Sequence, residues 1–288
     1  MRETAFEGKF YPADREEGRE MLKKFFSSLD QNFEKKDYKA GIVPHAGWVF
    51  SGRCASFLYN QLRRTGIECF IILGTNHSGT GSKITFSVDD FETFLGNLPV
   101  DMEVTEDIIV QLKKAGLDCG ADESVHKYEH SIEVQTPFLK AVSKEAKIVP
   151  MLIRDLNPIE VEKFGKILSN IIKSSGRKIF ILASSDMTHY GKGYGFVPFT
   201  DNVKDNLYKL DENIINKIIS LDVIGFLGEA RKSTVCGKEA IAVCMSASKN
   251  LGLKAEKLCY CTSGDVLGKW DNVVGYASIG FYNIPGVS

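Results

Sequence analysis

Residues 42–47 read Ile-Val-Pro-His-Ala-Gly, and the interpretation of the whole chain starts from this stretch. A short apolar run stops at a proline, presents His45, and passes through Gly47 and Gly52 into a helical pattern. This pattern predicts a β-strand with an imidazole at its carboxyl end, followed by a helix. In open α/β sheets, ligands bind in the crevice beyond the carboxyl ends of the strands. The stretch therefore predicts both a fold class and the position of a site.

The same arrangement recurs at two further apolar runs. Residues 70–74 precede His77, and residues 179–183 precede a polar segment that contains Asp186 and His189. Compact strand–helix–strand spacing is typical of parallel strands joined by right-handed crossovers. We predict that the three strands lie in one sheet and that the polar side chains beyond them line one site.

Hydrophobic periodicity in the rest of the chain alternates between helix and strand patterns. We predict a single α/β domain over residues 1–288, with a central, mostly parallel sheet flanked by helices. Residues 118–127 are expected to form a polar loop that exposes His126 to solvent, and the glycine-rich residues 191–195 a mobile flap. Helices are predicted at 15–29, 51–64, 105–115, 131–142, 158–173, 202–220, 222–232 and 238–249, and further strands at 83–88, 147–153, 258–262 and 273–281.

Composition excludes several classes of protein. The chain has 36 basic and 37 acidic residues among 288, without a long run of one sign, which argues against a nucleic-acid-binding protein. No apolar run is long enough to cross a bilayer, and the N-terminus lacks the apolar core of a signal peptide. We therefore expect a cytoplasmic protein that does not bind membranes.

The seven cysteines do not fit a secreted disulfide framework, because their number is odd and none is in a Cys-x-x-Cys pair. Cys259 and Cys261 have the spacing that places both thiols on one face of a strand. We interpret them as small buried hydrophobic side chains rather than as a metal clip.

His45, His77 and Cys236 form a candidate metal-binding set, since two imidazoles and a thiolate suit zinc, iron or copper and leave a coordination position open. Cys236 precedes a predicted helix, where the helix dipole favours the thiolate. Taken singly, a histidine at a strand end is more often a hydrogen-bonded structural group, and a cysteine more often part of the core.

Three other residues are candidates for catalysis. Asp186 could complete a two-histidine, one-carboxylate face for iron, and His189 could act as acid or base. The alternative for this pair is a capping aspartate with a hydrogen-bonded histidine in a tight turn. His130 lies one helical turn from Glu133 at a predicted helix start, where acidic charge stabilises the helix without any role in catalysis.

The chain resembles the Memo family in five segments that follow the family's order: residues 43–52, 72–77, 129–135, 184–190 and 236–237. The fold of that family is similar to the class III (LigB-type) extradiol dioxygenases, which use non-haem Fe(II). The resemblance implies a metal pocket at His45, His77 and Cys236, with Asp186 and His189 beside it.

The resemblance also implies a cofactor and a role. Cys236 stands where the dioxygenases use a carboxylate ligand, and a softer ligand shifts the preference toward copper(I) or zinc. We expect iron(II) or copper ahead of zinc, and a metal-dependent oxidoreductase related to the dioxygenases. The resemblance also suggests radical-SAM and AMMECR-type proteins as pathway partners. We expect a small molecule or peptide to bind in the cleft. The alternatives are a non-catalytic binding module, for a peptide or small anion, and a metal-sequestering protein.

Overall fold

A nine-stranded mixed sheet forms the centre of the computed structural model, which describes residues 1–29 and 35–283. The strand order is β4-β3-β5-β2-β6-β1-β9-β7, with β8 paired to β9. The strands are β1 Tyr38–Val43, β2 Cys69–Thr75, β3 Ile84–Phe86, β4 Cys119–Ala121, β5 Lys147–Ile153, β6 Ile179–Ser184, β7 His189–Gly191, β8 Lys254–Thr262 and β9 Asn272–Tyr282.

The four central strands, β5, β2, β6 and β1, are parallel, and their apolar runs are buried on both faces of the sheet. Burial on both faces explains why these runs do not alternate in polarity. The flanks differ, because β9 runs antiparallel to β1, β7 and β8, and β3 runs antiparallel to β5. The predicted α/β fold is confirmed, and the parallel part of the sheet is its centre.

Helices cover both faces of the sheet and enclose two large apolar cores. Helices α1, α2 and α6 pack on one face, and α3, α7, α8, α9 and α10 on the other. The helices are α1 Arg15–Ser27, α2 Trp48–Leu62, α3 Met102–Lys114, α4 Glu123–His126, α5 His130–Glu133, α6 Thr136–Val142, α7 Pro158–Ser175, α8 Val203–Ile219, α9 Val223–Ala230, α10 Lys238–Asn250 and α11 Ser263–Leu267. Within the described ranges, no helix is both long and apolar enough to span a membrane.

Two local predictions were wrong. The helix predicted at residues 131–142 is two short helices, α5 and α6, and Pro137 lies in the first turn of the second, where it has no amide hydrogen to donate. The loop predicted at 118–127 contains β4 and α4. Residues 191–195 continue from β7 into a 3-10 turn, Lys192–Tyr194, and their role as a mobile flap stays a prediction. The sequence also predicts a charged linker over residues 30–39, and that stretch lies partly outside the described residues.

Candidate metal centre

Three strand ends bring the predicted site residues together. Strands β2, β6 and β1 are neighbours and parallel, so their carboxyl ends meet at one edge of the sheet. His77, Asp186 and His45 each follow one of these strands by two residues. Cys236 reaches the same edge from the loop before α10, which packs against all three strands.

His45, His77 and Cys236, here called the metal triad, offer one nitrogen or sulfur atom each, and these atoms lie within 4.8 Å of one another. His45 Nε2 is 3.2 Å from the Sγ of Cys236. The rings of His45 and His77 are perpendicular, with centroids 5.1 Å apart. Separations of this size allow one ion to contact all three atoms after small side-chain rotations.

The chain beside Cys236 packs tightly against the strand ends. The next residue, Gly237, donates its amide hydrogen to Ser185 Oγ at 2.9 Å, and a Cβ at Gly237 would lie 2.5 Å from Thr75 Oγ1. Burial opposes ionisation of the thiol, but the charge and hydrogen bonds of His45 and His77 outweigh it and hold the pKa of Cys236 well below its ordinary value. The triad therefore favours the thiolate, the form that binds metals.

The hydrogen-bond network behind His45 determines which ring nitrogen carries its proton. Ser184 Oγ donates its hydrogen to Ser131 O at 2.5 Å and accepts one from Gln135 Nε2 at 2.9 Å. His45 Nδ1, 3.3 Å from the same oxygen, can then only donate to it. Nε2 is therefore the nitrogen that gives up its proton when a metal binds, and the lone pair left there points toward Cys236.

Glu129 plays the corresponding part for His77. Its buried carboxylate lies 3.0 Å from His77 Nδ1 and accepts the amide hydrogens of His77 and Ser131 at 2.8 Å. Burial alone would raise the pKa of Glu129, but the His77 hydrogen bond and the charges of His77 and His130 hold it at about 2. A carboxylate on Nδ1 leaves Nε2 free for a metal and makes the ring a better ligand.

His130 closes the other side of the triad. Its ring stacks on His77 at 4.6 Å and lies 5.1 Å from the ring of His45. The rings of Phe6 and Phe10 contact its outer face at 5.5 and 4.6 Å. Burial, together with the charge of His45, lowers the pKa of His130 to about 3, so this imidazole is neutral near pH 7. It forms, with the two phenylalanines, an apolar wall of the cleft.

Glu133 anchors the N-terminal segment, residues 1–14, that supplies this wall. Its fully buried carboxylate pairs with Arg2 at 2.8 Å and accepts hydrogen bonds from the Phe6 amide and the Tyr11 hydroxyl. The ambiguity about Glu133 at the sequence level is resolved in favour of a structural role, because these partners surround its oxygens.

Asp186 lies behind His45 rather than among the ligand atoms. Its Oδ1 accepts the amide hydrogens of His45 and Ala46 at 2.7 and 3.2 Å. Burial raises the pKa of this carboxyl group. In the described part of the chain, Asp186 is not a member of any group spaced for a metal ion. The geometry favours the capping interpretation, in which Asp186 positions the residue that carries His45.

His189 begins β7 and connects it to the segment before Cys236. Its amide donates to Thr234 Oγ1 at 2.8 Å, and Thr234 Oγ1 donates to the carbonyl of His189 at 2.7 Å. The ring Nδ1 lies 3.1 to 3.2 Å from the carbonyl oxygens of Thr234 and Met187 and so carries the hydrogen. The opposite ring nitrogen is left as an acceptor.

The prediction that His126 is exposed was wrong. The ring is 2% exposed, and its Nε2 is 3.0 Å from the carbonyl oxygen of Thr85. Burial lowers its pKa to about 4. The polar residues around it suggested a loop, but helix α4 turns this histidine inward.

The sequence interpretation missed the residues that orient the ligands. Glu129, Gln135 and Ser184 lie within the Memo-like segments 129–135 and 184–190, but no contact with a ligand was predicted for them, and Thr234 carried no recognisable signal. The usable clue was the position of Glu129 directly before a predicted helix start, where a carboxylate accepts backbone amide hydrogens.

Comparisons with known proteins identify the relatives of this chain. A family model described as Memo-like protein matches residues 2–280. A MEMO1 family protein of Thermococcus onnurineus is 40% identical, covering 98% of this chain and 99% of that protein. One from Pyrococcus furiosus is 38% identical over 97% and 98%, and one from Methanosarcina mazei is 35% identical over 97% and 98%.

The fold is also similar to a solved structure. The crystal structure of the uncharacterised protein JW3007 from Escherichia coli K12 matches with a TM-score of 0.50 at 11% identity, covering 84% of this chain and 99% of that one. At this identity the likeness concerns the fold alone. The family model and the relatives together extend over nearly the whole chain, and the chain therefore belongs to the Memo family.

Proposed function

We propose that this protein binds a redox-active transition metal, iron(II) or copper, at the metal triad and has a metal-dependent redox role. The observation that supports this most strongly is the orientation of the two imidazoles. Ser184 and Glu129 hold the outer nitrogens of His45 and His77, so both inner nitrogens face the Cys236 thiolate. Such outer partners are a regular feature of protein metal sites.

The donor set fits a transition metal and does not fit magnesium or calcium, which take oxygen ligands. Two imidazoles and one thiolate leave coordination positions open for a substrate or oxygen. When bound there, iron or copper would supply one-electron chemistry. The thiolate is a softer donor than a carboxylate, so it would stabilise reduced copper and alter the potential of iron.

The residues around the triad would bind and orient a substrate. His130 is neutral near pH 7, and its pKa of about 3 makes it a poor base, so it would orient a bound group through a hydrogen bond rather than take up its proton. Phe6 and Phe10 would exclude water on that side and pack against an apolar or aromatic group. His189 remains the candidate acid or base on the opposite side of Cys236, and Asp186 would hold the backbone of His45.

Metal content tests the proposal directly. Protein purified anaerobically without chelator should retain iron or copper at the metal triad, and the double variant His45→Ala/His77→Ala should lack the ion that the triad binds. Cys236→Ser should also lose metal, whereas Cys244→Ser, which alters a buried thiol inside α10, should not. Equal, negligible metal in wild type and the double variant would refute the proposal.

Oxygen consumption and ligand binding distinguish the alternatives. A metal-sequestering protein would take up metal tightly and consume no oxygen with any candidate substrate. A binding module would keep its peptide or anion after treatment with chelator and lose it on His189→Ala. The small-molecule or peptide occupant, the radical-SAM and AMMECR-type partners and the relation to dioxygenase chemistry are parts of this proposal that need these experiments.

A further inference from the structure

Three cysteines outside the metal triad meet on the α2 side of the sheet. Cys54 comes from the middle of α2, and Cys259 and Cys261 come from β8, and we call them the cysteine triad. Their sulfur atoms lie within 4.8 Å of one another. The interpretation of Cys259 and Cys261 as buried hydrophobic side chains was incomplete, because both are partly exposed and face a third thiol.

The strand geometry explains how two thiols face the same helix. Residues 259 and 261 alternate with Tyr260, whose hydroxyl donates to Asp211 on α8, across the other face of the sheet. Strand β9 pairs with this part of β8, matching Cys259 with Ser278 and Cys261 with Tyr276. Because helix α2 and this strand pair are rigid elements, they hold the three sulfurs without relying on a mobile loop.

The surroundings of the cysteine triad suit a soft ion. Val274, Tyr276, Ala46 and Phe50 pack around it and form a small apolar cluster. Cys54 is 1% exposed, while the partly exposed Cys259 and Cys261 leave a route from solvent.

We propose that Cys54, Cys259 and Cys261 form a second metal site, separate from the metal triad, that binds a soft monovalent ion, Cu(I), through three thiolates. Soft thiolate ligands select Cu(I) and zinc among the common metals. A structural zinc site takes four protein ligands, whereas this group has three. Metal–sulfur bonds of about 2.3 Å place the sulfurs of a three-coordinate ion about 4 Å apart, which small side-chain rotations can reach from the present spacing.

Binding at this site displaces protons and involves no electron transfer. Each thiol that is protonated loses its hydrogen to solvent as its sulfur bonds to the ion, and the ion remains Cu(I). The site therefore needs neither an oxidant nor a bound substrate. Its affinity should rise with pH, because protons compete with the metal for the same sulfurs.

Anaerobic titration of full-length, reduced protein with Cu(I) in competition with a chromogenic Cu(I) chelator tests the proposal. All measurements use a Cys236→Ser background, which removes the thiolate of the metal triad. That protein should bind about one competition-resistant equivalent and develop ultraviolet thiolate-to-metal absorption. Adding Cys259→Ser or Cys261→Ser should abolish both signals. Adding Cys69→Ser, which alters a buried thiol of the opposite core, should leave them unchanged.

Either of two results would overturn the site: absence of competition-resistant Cu(I) in the Cys236→Ser protein, or identical titrations for the Cys259→Ser and Cys69→Ser additions. Because Cys259 and Cys261 are partly exposed, their serine variants should fold, and circular dichroism checks this. If the metal triad binds no metal, the wild-type protein should bind no more metal than the Cys236→Ser protein, and this result is distinct from the two above.

Discussion

At the scale of single residues, the imidazoles of the metal triad depend on the groups that hold their outer nitrogens. The Glu129 carboxylate faces His77 Nδ1, and the Ser184 hydroxyl, itself positioned by Gln135, faces His45 Nδ1. Each partner selects the tautomer that directs a lone pair at Cys236. The ligands and their partners therefore act as one unit.

Replacing Glu129 by glutamine should weaken metal binding by about 10- to 100-fold, because the loss of an outer carboxylate makes the histidine a poorer and less oriented ligand. Competition titration against a metal chelator measures the effect. Glu123→Gln is the matched control, since Glu123 likewise accepts hydrogen bonds from the Ser87 hydroxyl and the Val88 amide, on a different part of the surface. Equal affinities for the two variants would show that Glu129 has no such role.

Asp211 belongs to neither triad, and it provides a test of how burial of a carboxyl group makes the stability of the protein depend on pH. It is fully buried beside Tyr260 and Thr188, and burial raises its pKa from 3.8 to about 6. A raised pKa contributes stability that is complete below pH 3.8 and is lost as pH rises through about 6. Asp211→Asn should remove this loss, so relative to wild type it should gain about 3 kcal/mol in unfolding free energy between about pH 4 and pH 8.

Urea unfolding of chelator-treated protein across that pH range measures the difference. Asp205→Asn, an exposed change on the same helix, should follow the wild-type curve. A wild-type and an Asp211→Asn curve that remain parallel throughout the range would contradict the assignment.

At the scale of elements, the approach of α10 to the strand ends positions Cys236. A side chain at Gly237 would collide with Thr75 Oγ1 and with the Ser185 side chain. The residue that caps α10 therefore has no Cβ, which allows the preceding thiol to reach the two histidines.

Gly237→Ala should lower stability by about 1–3 kcal/mol and reduce metal affinity at least about tenfold, because the added methyl group displaces the start of α10 and with it Cys236. Thermal unfolding and the same competition titration provide the two readouts. Gly228→Ala, in α9, meets open space and should change neither. Normal metal affinity in Gly237→Ala would show that the position of α10 does not determine metal binding at the triad.

At the scale of the whole molecule, the central sheet was predictable because its strands are continuous apolar runs that end in polar residues. The positions of His45 and His77 at one edge follow from that pattern and from parallel pairing. The antiparallel flanks were not predictable in the same way, since β8 and β9 have no distinctive pairing signal. His126 was misplaced because local polarity suggested exposure, whereas long-range packing against Thr85 buries it.

The contact between the N-terminal segment and the rest of the molecule also could not be predicted from local sequence patterns. Arg2 pairs with the buried Glu133, more than a hundred residues away, and donates to the carbonyl oxygens of His126 and Glu129. No periodicity in either segment reports on this ion pair. It connects the chain start to α5, which carries His130.

Arg2→Ala should destabilise the protein by about 3–5 kcal/mol, because it leaves the Glu133 carboxylate buried without its cation. Chemical denaturation measures the change. Arg19→Ala, which breaks an exposed pair with Glu16, should cost less than about 1 kcal/mol. Similar effects for the two variants would mean that the buried pair contributes no more than a surface pair.

The metal triad draws its atoms from distant parts of the polypeptide, since His45 and Cys236 are 191 residues apart. During translation both histidines leave the ribosome long before the cysteine is synthesised. An ion held by all three side chains must therefore be loaded late, after β6 has joined the growing sheet and α10 has docked. Metal delivery would then be a maturation step of the finished chain rather than an aid to its early folding.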